Sequence, residues 1–224
     1  GNLVLYLLKL AAGVAGLVLG QSGINDMAVV GRVVIALLDT GAVLLIYALG
    51  ARLYGRATGL LAASFAALAV INIQLSHFYT SDPLLTFFLV GSMLFLAGLA
   101  RTGRLRDAAL AGLMLGLALA SKVSAAPFLL AAGMAALASC FEGDSLHAAS
   151  FRRERVGRAI GAFALLLGVA AVAFAVAAPY EILDFRTFAG DVTREGEMAR
   201  RIADFPYTRQ YINTTPYLYH VQQL

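Results

Sequence analysis

The strongest constraint on this chain is that its apolar residues come in long blocks, which a water-exposed layer does not tolerate. A bilayer-spanning helix needs about 20 mainly apolar residues, with roughly 17–25 as the working range. On that measure six spans are read, at residues 30–50, 57–75, 83–100, 106–121, 124–140 and 157–178. A further stretch, Leu3–Leu19, is interrupted by Lys9 and is only just long enough to cross. The whole chain is 60% hydrophobic and 13% charged, against about 45–50% and about 25% in soluble domains. A soluble globular fold is therefore excluded, and the expected fold is an all-α polytopic membrane protein. A single cysteine, Cys140, rules out an internal disulfide, so packing in lipid must hold the helices together.

The arginines assign an orientation. Alternate gaps between the six spans hold Arg52 and Arg56, then Arg101, Arg104 and Arg106, then Arg152, Arg153, Arg155 and Arg158. All fall on one face if the spans alternate, and the positive-inside rule makes that face cytoplasmic. The net charge of +4 is thus a topology signal, and nucleic acid is excluded as a partner. The other gaps face outward: the segment Ser76-His77-Phe78-Tyr79-Thr80-Ser81-Asp82, the joint Lys122-Val123-Ser124, and everything after Pro179. Fifteen of the 17 basic residues are Arg, and Ala and Leu dominate the apolar blocks. That composition hints at a GC-rich bacterial gene and so at a bacterial cytoplasmic (inner) membrane.

Two segments follow from this pattern, a transmembrane helical domain over 1–179 and an outward segment over 180–224. The outward segment carries five Arg against six Asp and Glu and is too polar for lipid. Phe185, Phe188, Val192, Ala199 and Ile202 recur at helical spacing, which predicts an amphipathic helix on the outer surface. Phe205, Tyr207, Tyr211, Tyr217 and Tyr219 follow; tyrosines at this level form an interfacial belt, with a sugar-stacking platform as the other reading. Gly112 and Gly116, four apart on the fourth span, are read as a helix-packing face, because small residues let backbones approach closely in lipid.

Ionisable groups at or below the bilayer surface are costly and therefore informative. Asp39 lies seven residues after Arg32, roughly 10 Å deeper in the helix, and reads as structural, neutral or hydrogen-bonded to a neighbouring helix. Asp82 precedes Pro83 at the outer start of the third span. An Asp N-cap followed by Pro at the first helical position is a normal helix start, so cap and catalyst are both open. Lys122 joins two spans of about 16–17 residues, which reach only about 24–26 Å against a hydrocarbon core of about 30 Å. Their shared corner is therefore recessed, and its lysine either anchors a phosphate or snorkels to the headgroups. His77 and Arg32 sit at the same level. One acid among several cations points to an anionic, lipid-linked substrate.

A family resemblance is carried by several linked stretches: Val30-Gly31-Arg32, Ala51-Arg52-Leu53-Tyr54-Gly55-Arg56, the run from Leu75 through Ser76-His77-Phe78-Tyr79-Thr80-Ser81-Asp82-Pro83 to Phe88, and Arg104-Leu105-Arg106-Asp107 through to Ser121-Lys122. Together they resemble the family 39 glycosyltransferases, relatives of dolichyl-phosphate-mannose protein mannosyltransferases and of bacterial lipid A aminoarabinose transferases. The resemblance implies a C-type glycosyltransferase helix bundle of about six transmembrane helices with juxtamembrane and surface amphipathic helices. It makes Leu3–Leu19 a juxtamembrane helix on the outer side. It also implies a polyprenyl-phosphate sugar donor, a protein or lipid hydroxyl as acceptor, and an active site at the outer membrane face. Asp82 matches the acidic residue of the family's second outer loop, and Lys122 the lysine near the carrier phosphate. The family's first transmembrane helix and first outer loop, with the principal carboxylate, are expected to precede Gly1, and its distal helices to follow Leu224.

Such a transfer needs a carboxylate base for the acceptor hydroxyl, with cations or a divalent metal to stabilise the departing phosphate. The principal carboxylate takes the first role and Asp82 assists the acceptor or a metal; Lys122, with Arg32 and His77, holds the phosphate. No residue is assigned as a metal ligand. The alternative reading is a non-catalytic glycosyltransferase-like subunit of a larger membrane complex, docked to other membrane subunits through its tyrosine-rich outer tail.

Overall fold

The computed structural model describes residues 2–19, 24–141 and 149–199. Every regular element among them is helical: α1 (Leu3–Leu19), α2 (Ile24–Tyr54), α3 (Arg56–Leu68), α4 (Val70–Ser76), α5 (Ser81–Thr102), α6 (Leu105–Ser121), a 3-10 turn (Val123–Ala125), α7 (Phe128–Ala138), α8 (Ala149–Ala177), α9 (Pro179–Leu183) and α10 (Phe185–Ala199). The chain divides into two compact units, Gly1–Pro179 and Tyr180–Leu224.

The six expected spans fall largely on helices, with breaks at Ala69 and at residues 126–127, and the helices differ in reach. Among the described residues α2, α5 and α8 are long and apolar enough to cross a bilayer, and the pair α3 and α4 makes a fourth if its 58° bend is counted within one span. The bend has a local cause. Ala69 leaves the helical region (φ −66°, ψ 115°), which frees carbonyls at the end of α3, and the Asn72 side-chain amide donates to Ala66 O at 3.1 Å. Ala66 O, which also accepts from the Ala69 amide at 3.3 Å, thus gains a second donor where the helix breaks. α1 is a single helix packed on α2, and α6 and α7 are the short ones.

Alanines make up much of the interior of the first unit, beside fully buried Ile35, Leu84, Leu99, Leu115 and Leu166, and many large apolar residues point out. The buried set includes Ala108, Ala111, Ala118, Ala132, Ala162, Ala170 and Ala173, while Leu37, Phe65, Leu130, Met134 and Val176 are exposed. So many exposed large apolar side chains suit lipid, where apolar contact with the solvent costs nothing and close backbone approach supplies the association. α6 lies between α5 and α8. A Cβ on Gly112 would stand 2.3 Å from Leu166 O, and one on Gly116 2.3 Å from Ala170 O. α5 joins α6 through the buried Ser92 hydroxyl, which donates to Ala111 O at 3.2 Å. α2 and α3 form a tight hairpin at Gly55, whose φ of 99° and ψ of 164° lie in a region essentially restricted to glycine.

In the second unit, Asp184 starts α10: its Oδ1 accepts from the Thr187 amide at 3.3 Å. Phe185 and Phe188 are neighbours on this helix, with ring centroids 6.2 Å apart. Ile202, Phe205 and the tyrosines from Tyr207 to Tyr219 lie outside the described residues.

Gly116→Val should destabilise the protein by about 1–3 kcal/mol or more, because the clash is with backbone that cannot rotate away. Gly168→Ala, where an added Cβ meets nothing within 4 Å, should be neutral or stabilising by up to about 1 kcal/mol. Thermal unfolding of both variants in the same detergent measures the contrast.

Candidate functional site

Asp82 does not cap its helix. The N-cap of α5 is Thr80, with extended backbone (φ −121°, ψ 165°) and no side-chain cap bond, so Asp82 and Pro83 are the second and third helical residues. This corrects the expected start, with Asp82 as cap and Pro83 first, by two positions. The reason is that any position in the first turn tolerates proline, since those amides have no intrahelical acceptor. The Asp82 carboxylate is left free of capping, in a first turn where the helix dipole favours negative charge.

Lys122 is placed by the end of α6. Its amide still closes on Ala118 O at 2.9 Å, but its own backbone is extended (φ −160°, ψ 129°). That breaks the helix and turns the chain into Val123–Ala125. The side chain reaches back across the corner, and Nζ lies 2.9 Å from Asp82 Oδ1. Two residues 40 apart in sequence are thereby joined. The buried Leu84, Ala120 and Ala125 belong to the apolar cluster on which this corner stands.

The pair is open to solvent, with the side chains of Lys122 and Asp82 38% and 42% exposed. Ion pairs this accessible contribute about 0.2–1 kcal/mol, too little to make stability their main consequence. Both partners keep capacity for a ligand. An ammonium has three N–H donors and a carboxylate two acceptor oxygens, while the described contact uses one of each.

His77 and Arg32 are not part of the pair. His77 is the C-cap of α4, exposed, with Nδ1 donating to Ile73 O at 2.6 Å; in the neutral ring Nε2 is then an acceptor. Arg32 is exposed on α2 and has no polar partner among the described residues. Its neighbour Gly31 lies beneath the Tyr79 ring, 2.9 Å from where a Cβ would stand, which puts Arg32 level with the segment leading to Asp82. Asp39, two turns deeper and half-buried, has no hydrogen bond among the described residues, so of its two expected states the bond to a neighbouring helix is not found among them.

Two residues here carried no assigned role in the sequence. Tyr79 donates its hydroxyl proton to Val4 O and so ties α1 to the segment before Asp82. Thr80 buries its Oγ1 without a hydrogen-bond partner, two positions before Asp82. A Thr ahead of Ser-Asp-Pro is an N-cap signature, the one sequence signal that marks it. Among the described residues no three His, Cys, Asp or Glu side chains converge on a point.

Residues 9–151 match the sequence model of the dolichyl-phosphate-mannose-protein mannosyltransferases. Asp82, Lys122, His77 and Arg32 all fall inside that stretch. No curated protein and no solved structure matches the chain.

Burial pushes the Tyr79 phenol above its ordinary value of 10.0, and a backbone hydrogen bond with Leu8 offsets part of that rise. The neutral phenol is the form the fold holds. Its contribution should therefore be fully present below about pH 10 and lost as pH climbs through the raised value. Hydrogen exchange of the α1 amides should accelerate above that pH in the natural protein, while Tyr79→Phe should show faster exchange already at neutral pH, by about 0.5–1.5 kcal/mol of lost protection.

Proposed function

Because the chain belongs to the dolichyl-phosphate-mannose-protein mannosyltransferase family, we propose that the Asp82–Lys122 corner handles a polyprenyl-phosphate sugar at the outer membrane face. The transfer goes to a protein or lipid hydroxyl. The observation that supports this most is the 2.9 Å contact itself, which sets an acid and a phosphate-binding cation side by side at the mouth of a lipid-embedded bundle.

The reaction asks for that combination. An acceptor oxygen attacks the anomeric carbon, the bond from that carbon to the phosphate oxygen breaks, and the polyprenyl phosphate leaves with the electron pair. The hydroxyl proton must go to a base. Charge gathers on the departing phosphate, where fixed cations act most strongly because they need no reorganisation. Lys122 supplies its uncommitted N–H groups to that phosphate, and Asp82 holds the ammonium in position through Oδ1. The free Oδ2 of Asp82 orients the acceptor hydroxyl, as an assistant to the principal base. Arg32 contacts the phosphate from the α2 side. His77 has Nδ1 engaged with Ile73 O, so only its Nε2 is left to face the phosphate.

Membranes containing the full-length protein should move a labelled sugar from polyprenyl phosphate to an acceptor. Asp82→Asn should cut the rate at least about tenfold, equivalent to about 1.4 kcal/mol of barrier. Lys122→Met should chiefly raise KM for the donor, with Lys122→Arg recovering part of the loss. Transfer that is undiminished in both Asp82→Asn and Lys122→Met would remove this corner from the mechanism and favour a non-catalytic role.

A further inference from the structure

One ionisable side chain within the bundle has no part in the transfer reaction, Asp39 on α2. Among the described residues it makes no hydrogen bond or ion pair. The hairpin of α2 with α3 fixes its surroundings. Gly50 and Gly59 pack backbone to backbone, and a Cβ on Gly50 would stand 2.9 Å from Gly59 Cα. Asp39 precedes Gly50 by 11 residues, three turns with about 20° left over, so both lie on the face of α2 turned to α3. Ala69 follows Gly59 by ten residues. Each of these steps covers about 15–17 Å along its helix, and because the chain reverses at Gly55 they run in the same direction. Asp39 therefore stands level with Ala69, where α3 ends and α4 departs at 58°.

The face of α3 turned to α2 reaches the same level, since Ala62, Ala63, Ala66 and Ala69 are half-buried at helical spacing from the buried Gly59. The break at its end is rich in oxygen. In an unbroken helix the amides of Ala69 and Asn72 would close on Phe65 O and Leu68 O; here they close on Ala66 O at 3.3 Å and Ala69 O at 3.0 Å. Carbonyl oxygen at the negative end of the α3 dipole thus loses its helical donors. Asn72 gives its amide nitrogen to Ala66 O and keeps Oδ1 as a further acceptor. An ionised Asp39 adds a carboxylate at this level, and like-signed charges repel more strongly as the surroundings become less polar. Among the described residues no cation stands there to answer it. Of the helices packed on α2, α3 and α4 hold one ionisable residue, Arg56, at the far end of α3, and α5 holds Asp82 and Arg101 near its two ends. α1 holds Lys9, next to the Leu8 that packs on Gly31, and both Gly31 and Arg32 lie two turns above Asp39 on α2.

We infer that Asp39 and the break between α3 and α4 bind a monovalent alkali cation within the membrane. The donors at this level are all oxygen, which suits a hard cation, and interrupted transmembrane helices hold such ions through carbonyls freed at the break. One carboxylate balances one positive charge, so the loaded site is neutral, the state that costs least at this depth. A divalent ion would leave a net charge in the bilayer. A proton would neutralise Asp39 but supply a single donor to the carbonyl oxygens and Asn72 Oδ1 together. The site lies about 10 Å below Arg32, and it stands apart from the glycosyl-transfer reading and survives its failure.

Equilibrium binding of radioactive sodium to the full-length protein in detergent, with choline chloride holding the ionic strength constant, tests it. Binding to the natural protein should be saturable, and sodium should raise its unfolding temperature by mass action. Asp39→Asn, which keeps the shape and removes the charge, should weaken binding at least about tenfold and abolish the sodium-dependent rise. Asn72→Leu should weaken binding several-fold, and Asp82→Asn should leave it unchanged. Absence of saturable binding overturns the inference. So does binding left intact by Asp39→Asn or, should that variant not fold, by Asn72→Leu. Loss of binding in Asp82→Asn also overturns it, by moving the ion to the outer corner. Stabilisation of the natural protein by acid but not by sodium overturns it in favour of a neutral Asp39.

Discussion

The approach of α6 to α8 at Gly112 and Gly116 is the contact on which the rest of this bundle depends. With no side chain at either position, the two backbones meet at a separation that any Cβ would forbid. In lipid that closeness supplies the attraction between helices, because the surrounding acyl chains match apolar side chains and give no net driving force for burying them. α6 is thereby held between α8 and α5 and stops at Ser121. At 17 residues it is about 25 Å long, shorter than a hydrocarbon core of about 30 Å. The extended backbone of Lys122 ends α6 and turns the chain there, and the Lys122 side chain lies beside Asp82.

The ion pair formed there is half open, and its accessibility matters more than its strength. A fully buried pair must be matched by further hydrogen bonds to offset desolvation, and would have little to offer a ligand. At roughly 40% exposure the Asp82 and Lys122 side chains contribute little to stability and keep spare donors and acceptors. Two further contacts shape the same corner: Tyr79 ties α1 down through Val4 O, and Thr80 buries an unpaired hydroxyl. Polar groups gather here at the edge of a cluster of alanine, leucine and phenylalanine, so the site is polar on one side only.

Several features were legible in the sequence because they depend on neighbours along the chain. The long apolar runs, the short reach of the segments around Lys122, the small-residue spacing of Gly112 and Gly116 and the grouping of arginines at alternate corners are all local patterns. The start of α5 was misplaced by two residues, because Thr80, Asp82 and Pro83 each fit an N-terminal position and their spacing alone does not choose between them. The bend between α3 and α4 was read through, since Asn72 looks like one polar residue in an apolar run. Its reach back to Ala66 O exists only once the helix has broken.

The sequence by itself determined that this chain is a helical membrane protein, where its apolar helices run, and which acids and cations stand near their ends. Those outcomes follow from transfer free energy and helix rise, which are additive over short windows. Only the tertiary structure decided that Asp82 pairs with Lys122 across 40 residues, and that His77 turns back onto its own helix while Arg32 stays apart. Those pairings are set by which helices pack and how closely, and two glycines facing two carbonyl oxygens control that in three dimensions.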